Sequence, residues 1–393
     1  MRIQTLLIGL LIAQMLAASP PEKEPPIVVG AAQLDRYLPL LTGKQIALVV
    51  NHSSRVGNTH LADTLQARGV CISRILAPEH GIRGDAPDGA LIDDDTDART
   101  GAPIVSLYGK KRRPEPGDLA GIDLLVFDIQ DVGARFYTYI STLFYLLEAC
   151  GELDIPVLVL DRPNPNGHYV DGPVLDLRFR SFVGIAPLPI VHGCTVGELA
   201  RLFTGEFWTG PKQPGLTVIP CLNYHHNRPY PLPVAPSPNL PSYRSILLYP
   251  SLCLFEGTEV SVGRGTDWPF QLLGHPAYPD STAFQFTPRS NAASRYPPME
   301  GRLCRGLDLR GLSTDSLFEI RQLNIQVLLE FYNCLVDSGS FFLPTKYFNR
   351  LAGTDRLWEQ IEAGCSEAEI RSSWQADLEC FRAIRRQYLL YPD

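Results

Sequence analysis

Short, unbroken apolar runs separated by segments of helical period organise the first half of the chain. Lys44-Gln45-Ile46-Ala47-Leu48-Val49-Val50 turns wholly apolar and is bounded by polar residues, the mark of a buried strand. Further strands are predicted at Cys71–Leu76 and Pro103–Tyr108, where polar residues interrupt the run, and at Leu124–Phe127 and Pro156–Leu160. An amphipathic segment near Gln33–Leu41 precedes the first of these runs, and between later ones helices are predicted over Thr59–Arg68 and Ala134–Ala149, the last with a stripe of Phe136, Ile140, Leu143, Phe144 and Leu147. Continuous apolar strands alternating with helices imply an α/β fold with a mainly parallel, Rossmann-like sheet covered on both faces. The carboxyl ends of such strands lie along one edge, where ligands bind, so Asn51, Glu79, Asp128 and Asp161 are expected to share that edge.

The second half reads differently. Thr195-Val196-Gly197-Glu198 has capping-box spacing ahead of a helix through about Phe207, which gives Thr195 a purely structural reading. The Pro-rich stretch Pro229–Pro241 excludes a central strand or a helix. A division is therefore expected into a Rossmann-like domain, 27–244, and a smaller α+β domain, 245–393, that closes a cleft. Within the latter, a strand is predicted near Arg302–Leu309 and helices over Ser313–Asp337, Ala352–Glu362 and Ser366–Leu390.

Composition narrows the class. The 393 residues are 45% hydrophobic, with 34 Pro and 32 Gly clustered between apolar runs, which describes a globular scaffold with elaborate loops. Met1-Arg2, the apolar run Leu6–Leu16 and then Ala17-Ala18-Ser19 have the layout of a signal peptide over 1–19, implying a secreted or periplasmic protein. That run is too short to span a bilayer comfortably, so no stable membrane insertion is expected after cleavage. A net charge of −7 without a basic patch argues against nucleic acid as a partner. The nine cysteines form no Cys-x-x-Cys and no zinc-like spacing; export permits disulfides, and the apolar contexts equally suit buried thiols.

The chemistry concentrates in Pro78-Glu79-His80-Gly81-Ile82-Arg83-Gly84, which sets an acid, an imidazole and a guanidinium in one tight loop behind a strand. The bland alternative is a glycine turn with solvated charges. Nucleotide-binding, P-loop, zincin and serine-esterase motifs are all missing, and no cofactor or metal is called for. Asn51-His52-Ser53 matches a glycosylation sequon, a pattern short enough to recur by chance. What remains suits glycoside hydrolysis, which needs a general acid and often a second carboxylate. Glu79 fits the acid; Asp128 or Asp131, near Arg135, Tyr137 and Tyr139, fits the second, although an Asp beside an Arg is more often an ion pair. Arg135 and Arg264 have planar forks suited to an anionic substituent.

Seven blocks in order carry a resemblance that covers the chain from about residue 30 onward. They are Asn51-His52, the Glu79 loop, Asp128-x-Gln130-Asp131-Val132-Gly133-x-Arg135-x-Tyr137-Thr138-Tyr139, Asp161-Arg162-Pro163-Asn164-Pro165, His192-Gly193-x-Thr195, Pro236-Ser237-Pro238-Asn239-Leu240-Pro241 and Glu256-Gly257-Thr258-x-x-Ser261-x-Gly263-Arg264-Gly265-Thr266. Together they resemble the exo-acting peptidoglycan β-N-acetylmuramidases. The resemblance implies release of N-acetylmuramic acid from the non-reducing ends of peptidoglycan-derived glycans or disaccharides, with Glu79 as catalytic acid. With Asp128 as second catalytic residue, the sugar site then comprises Asn51, His80, Arg83, Asp131, Arg135, Tyr137, His192, Asn239, Glu256 and Arg264, and the lactyl carboxylate of muramic acid pairs with Arg135 or Arg264. Glu259 departs from the asparagine often found in the family's Glu-Gly-Thr block. Retaining, substrate-assisted and inverting routes all remain compatible with these residues. Two rival readings are a non-catalytic periplasmic sugar or muropeptide receptor, and a metal-dependent hydrolase built on His52, His80 and Asp93–Asp97.

Overall fold

The computed structural model describes residues 24–78, 81–83, 95–109, 111–339 and 341–393. Residues 1–19, Glu79, His80, Asp93 and Asp94 lie outside them.

The strands form where the apolar runs predict them: β1 (Gln45–Val50), β4 (Cys71–Ala77), β6 (Pro103–Ser106), β7 (Leu124–Asp128) and β8 (Val157–Leu160). A small hairpin, β2 (Arg55–Val56) with β3 (Thr59–His60), follows β1, while β5 (Asp95–Thr96) and β9 (Leu216–Ile219) complete a seven-stranded sheet in the order β5-β6-β4-β1-β7-β8-β9. Every pairing is parallel except that of β5 with β6 at one margin. Successive residues of a strand point to opposite faces. Ala47, Val49, Leu125, Phe127, Val157 and Val159 therefore enter one apolar layer, and Ile46, Leu48, Val50, Leu124, Val126, Leu158 and Leu160 the other. The second layer is covered by α1 (Leu34–Leu41) and α2 (Leu61–Ala67), through Tyr37, Leu41, Leu61 and Leu65. The first is covered by α3 (Tyr139–Glu152) and α4 (Val196–Gly205).

Helix α4 starts as its sequence predicts: Thr195 accepts from the Glu198 amide, and the Glu198 side chain accepts from the Thr195 amide. Helix α3 starts five residues later than its stripe suggests. Residues ahead of it are drawn into tertiary pairing instead, with Ala134 bridged to Val191 and the Arg135 amide donating to the Ile190 carbonyl at 2.8 Å.

Helix α5 (Tyr243–Leu252), not predicted, leads into a smaller C-terminal part with a three-stranded antiparallel sheet, β10 (Leu272–His275), β12 (Cys304–Asp308) and β11 (Phe284–Phe286) in that order. Its helices are α6 (Thr314–Glu319), α7 (Ile325–Leu335), α8 (Tyr347–Ala352), α9 (Arg356–Glu362), α10 (Glu367–Ser372) and α11 (Gln375–Arg385). The segments Ser313–Asp337 and Ser366–Leu390 are thus each broken once. Both breaks meet one buried carboxylate: Asp171 accepts from the Leu323 amide at 2.8 Å, Arg371 Nη1 at 2.9 Å and Trp374 Nε1 at 3.2 Å. Phe255, Phe331, Phe348 and Phe381 belong to the same apolar cluster as Phe127 and Phe144, so the two parts share one core. All nine cysteines are free thiols.

Candidate active site

The strand order reverses at β1: β4 and β6 lie to one side, β7, β8 and β9 to the other. A reversal of this kind opens a crevice at the carboxyl ends of the strands. The chain leaves β1 at Asn51, whose Oδ1 accepts from the Ser53 amide at 2.9 Å and the Ser53 hydroxyl at 2.6 Å. Ser54 Oγ donates to the Asp128 carbonyl, and the Gln130 amide donates to Ser53 Oγ at 3.1 Å, which ties the ends of β1 and β7 together. Asn51 is fully buried, so its sequon is closed to glycan attachment.

Asp128 ends β7 with no exposed surface, and both its oxygens are engaged by Arg162, Nε at 2.5 Å and Nη2 at 2.9 Å. The next strand end, Asp161, is equally buried and accepts from Thr195 Oγ1 at 2.7 Å, the Gly197 amide at 2.8 Å and the Tyr391 hydroxyl at 2.5 Å. Desolvation nevertheless pushes its carboxyl up to about 6. Asp131 is pushed up to about 7 by the same cause, with Oδ2 accepting the Gly133 amide at 2.6 Å. Gly133 has φ +83°, and an added Cβ would lie 2.1 Å from Asn164 Oδ1, so no other residue fits this turn.

His192 lies behind Asp131. Its Nδ1 accepts from the Cys194 amide at 3.2 Å, which assigns the ring proton to Nε2, 3.8 Å from Asp131 Oδ2. Burial pushes the imidazole down to about 3. Arg135 has no exposed surface, and its guanidinium donates to the carbonyls of Pro173 at 2.8 Å, Leu188 at 2.7 Å and Leu351 at 2.8 Å. Arg83 is likewise committed, bridging Asp63 and Asp97 at 2.9 Å each; the ion pair holds the Asp63 carboxyl below its ordinary range. Asn51, Arg83, Asp128, Asp131, Arg135 and His192 therefore build and brace the edge, and none of them lines the cleft beside it.

That cleft, about 540 Å³, lies between the loops after β6 and β7 and the C-terminal part. Of the predicted residues, Tyr137, Asn239, Glu256 and Arg264 line it. Tyr137 donates to the Pro236 carbonyl at 2.8 Å, and its ring meets Tyr139 edge-on at 5.0 Å. Asn239 donates to the Ala293 carbonyl at 2.9 Å. Glu256 accepts from Arg264 Nε at 2.5 Å, and Arg264 lies 5.2 Å over the Phe270 ring. Sequence reasoning missed Tyr108, Arg112, Phe182, Tyr296, Tyr347 and Arg350, which also line it. Tyr108 was within reach, because it closes a predicted strand; Tyr296, 90% exposed on the rim, carries no local signal. Glu259 does not line the cleft. Among the described residues no group of three or more His, Cys, Asp or Glu is placed to hold a metal ion.

Aromatic faces set among neutral hydrogen-bonding groups and a few charges suit a sugar, whose rings stack and whose hydroxyls need partners. The class is that of a two-part α/β glycoside hydrolase with its cleft at the carboxyl edge of the sheet. Within it, the chain belongs to the family of exo-β-N-acetylmuramidases called NamZ: the family's N-terminal profile matches residues 46–244 and its C-terminal profile residues 247–391. It is 38% identical over 390 residues to the peptidoglycan β-N-acetylmuramidase NamZ of Bacillus subtilis (strain 168), a match covering 94% of this chain and 92% of that protein. A crystal structure of a DUF1343 family protein from Bacteroides fragilis superposes with a TM-score of 0.86 at 45% identity, covering 94% of this chain and 100% of that one. A second from the same organism gives 0.79 at 27% identity, covering 93% and 99%.

Proposed function

We propose that Glu79 is the general acid with which this exo-β-N-acetylmuramidase detaches a terminal N-acetylmuramic acid from peptidoglycan fragments. The observation that carries the reading is the match to NamZ along nearly the whole chain, which includes the cleft-lining Tyr137, Asn239, Glu256 and Arg264. Strand β4 ends at Ala77, two residues ahead of Glu79, at the same edge as the ends of β1 and β7. A carboxylic acid there protonates the leaving glycosidic oxygen as positive charge builds on the sugar ring. Glu256, held by Arg264, is the cleft carboxylate among the described lining residues, and its role in this reading is to orient a sugar hydroxyl. Asp128 serves indirectly, by fixing through Arg162 the loops that frame the cleft.

The test is incubation of the purified chain and its Glu79→Gln variant with chromogenic β-glycosides of N-acetylmuramic acid and N-acetylglucosamine. The expected outcome is release from the muramic compound alone, reduced in the variant by roughly 10²–10⁴-fold. Binding of the sugar without release from either compound would favour the receptor reading and reject this one.

The same proposal takes residues 1–19 as an export signal, 27–244 and 245–393 as the two domains, and the protein as secreted or periplasmic without nucleic acid partners. Among the described residues no helix is long and apolar enough to cross a membrane. N-terminal sequencing of protein recovered from the medium or periplasm should begin near Pro20; an intact Met1 on a cytoplasmic protein would reject the export reading.

A further inference from the structure

The charged groups among the described lining residues of the cleft are Glu256, Arg264, Arg112 and Arg350. Glu256 and Arg264 neutralise each other at 2.5 Å. Among the described lining residues two positive charges remain, inside a chain whose net charge is −7. A low-dielectric cleft concentrates such a field on whatever enters it. Neither Arg112 nor Arg350 pairs with a carboxylate among the described residues.

Both are nonetheless held in place. The Arg112 guanidinium lies 4.5 Å over the Phe182 ring, itself stacked on Tyr145, a contact that holds the cation at the cleft wall. Arg350 lies on α8 one turn after Tyr347, so the two share the face toward the cleft, while Phe348 and Leu351, about 100° round the helix, are buried. The end of that helix is fastened from across the molecule, where Arg135 Nη2 donates to the Leu351 carbonyl at 2.8 Å. Arg135 is itself sealed off, and Arg264 already has its carboxylate.

Resting on the muramidase reading, we infer that Arg112 and Arg350 are the specificity residues that read the lactyl carboxylate of the substrate, one from each side of the cleft. This replaces the expectation that Arg135 or Arg264 does so. Arg135 instead acts as a positioning residue for Arg350.

The test compares the lactyl acid with its neutral methyl ester. Turnover of the chromogenic N-acetylmuramic acid β-glycoside and its methyl ester is measured for the wild type, Arg112→Met, Arg350→Met and the double variant. Calorimetric binding of free N-acetylmuramic acid and its methyl ester is measured alongside. Each single variant is expected to lose roughly tenfold in kcat/KM on the acid, mostly through KM, with turnover of the ester little changed, as for the loss of one charge-assisted hydrogen bond. The double variant should no longer distinguish acid from ester, and Arg350→Lys should recover part of the loss. If the variants keep the wild-type preference for the acid, in turnover or in binding, the inference is wrong. If the wild type hydrolyses neither glycoside, the muramidase reading fails, and the binding arm still decides whether these arginines read the carboxylate.

Discussion

Arg135 is the side chain whose position in the sequence says least about its task. It sits in the signature block between Gly133 and Tyr137, where an anion-binding role is the natural reading, yet its guanidinium is spent on the carbonyls of Pro173, Leu188 and Leu351. Replacing it with Met leaves those buried acceptors unpaired and is expected to cost about 3–5 kcal/mol, read as a lower urea midpoint. Lys should not restore it, because a single ammonium cannot reproduce the fork. An unchanged midpoint would show that the carbonyls find other partners. Asp128 and Tyr137 make the same point from either side. The block was legible as a unit, but which side chain points inward is decided by the irregular turn from Ile129 to Thr138, and no periodicity encodes that.

At the level of elements, the interior strands could be read directly, because a strand covered on both faces has to be apolar where it is covered, as β1 is from Ile46 on, β7 up to Phe127 and β8 throughout. The margins carried less signal. β9 is only partly buried, and its alternating exposure removes the continuous run. α5 was hidden by its own Pro250 and by the proline-rich stretch just before it. The long helical pattern from Ser313 to Asp337 hid a break, since Leu323 stays fully buried in it while its amide turns to Asp171. Helical period reports which side chains face the core; it does not report where a distant carboxylate captures the backbone. The cleft inherits this limit, because its walls come from segments as far apart as Tyr108 and Arg350.

For the molecule as a whole, the C-terminal tail closes onto the first part through charge. His226 Nε2 lies 2.9 Å from Glu198 and Nδ1 3.0 Å from Asp393, while Arg385 holds Asp393 at 2.7 Å. These two carboxylates raise the imidazole to about 9 against the opposing effect of burial. A raised histidine contributes stability that is fully present below its unfolded value of 6.5 and is lost as pH climbs through 9. Thermal melts should therefore show Tm falling across that interval in the wild type and a shallower slope in His226→Gln; equal slopes would remove His226 as the cause. Asp393 works in the opposite direction: held below the ordinary carboxylate range, it contributes above that range and is lost in acid. Glu198 waits for the amide of Leu390, 2.8 Å away, and Asp161 for the hydroxyl of Tyr391. Those partners lie 192 and 230 residues further along the chain, so the sheet edge beneath the cleft stays unfinished until the distant segment that carries them has docked.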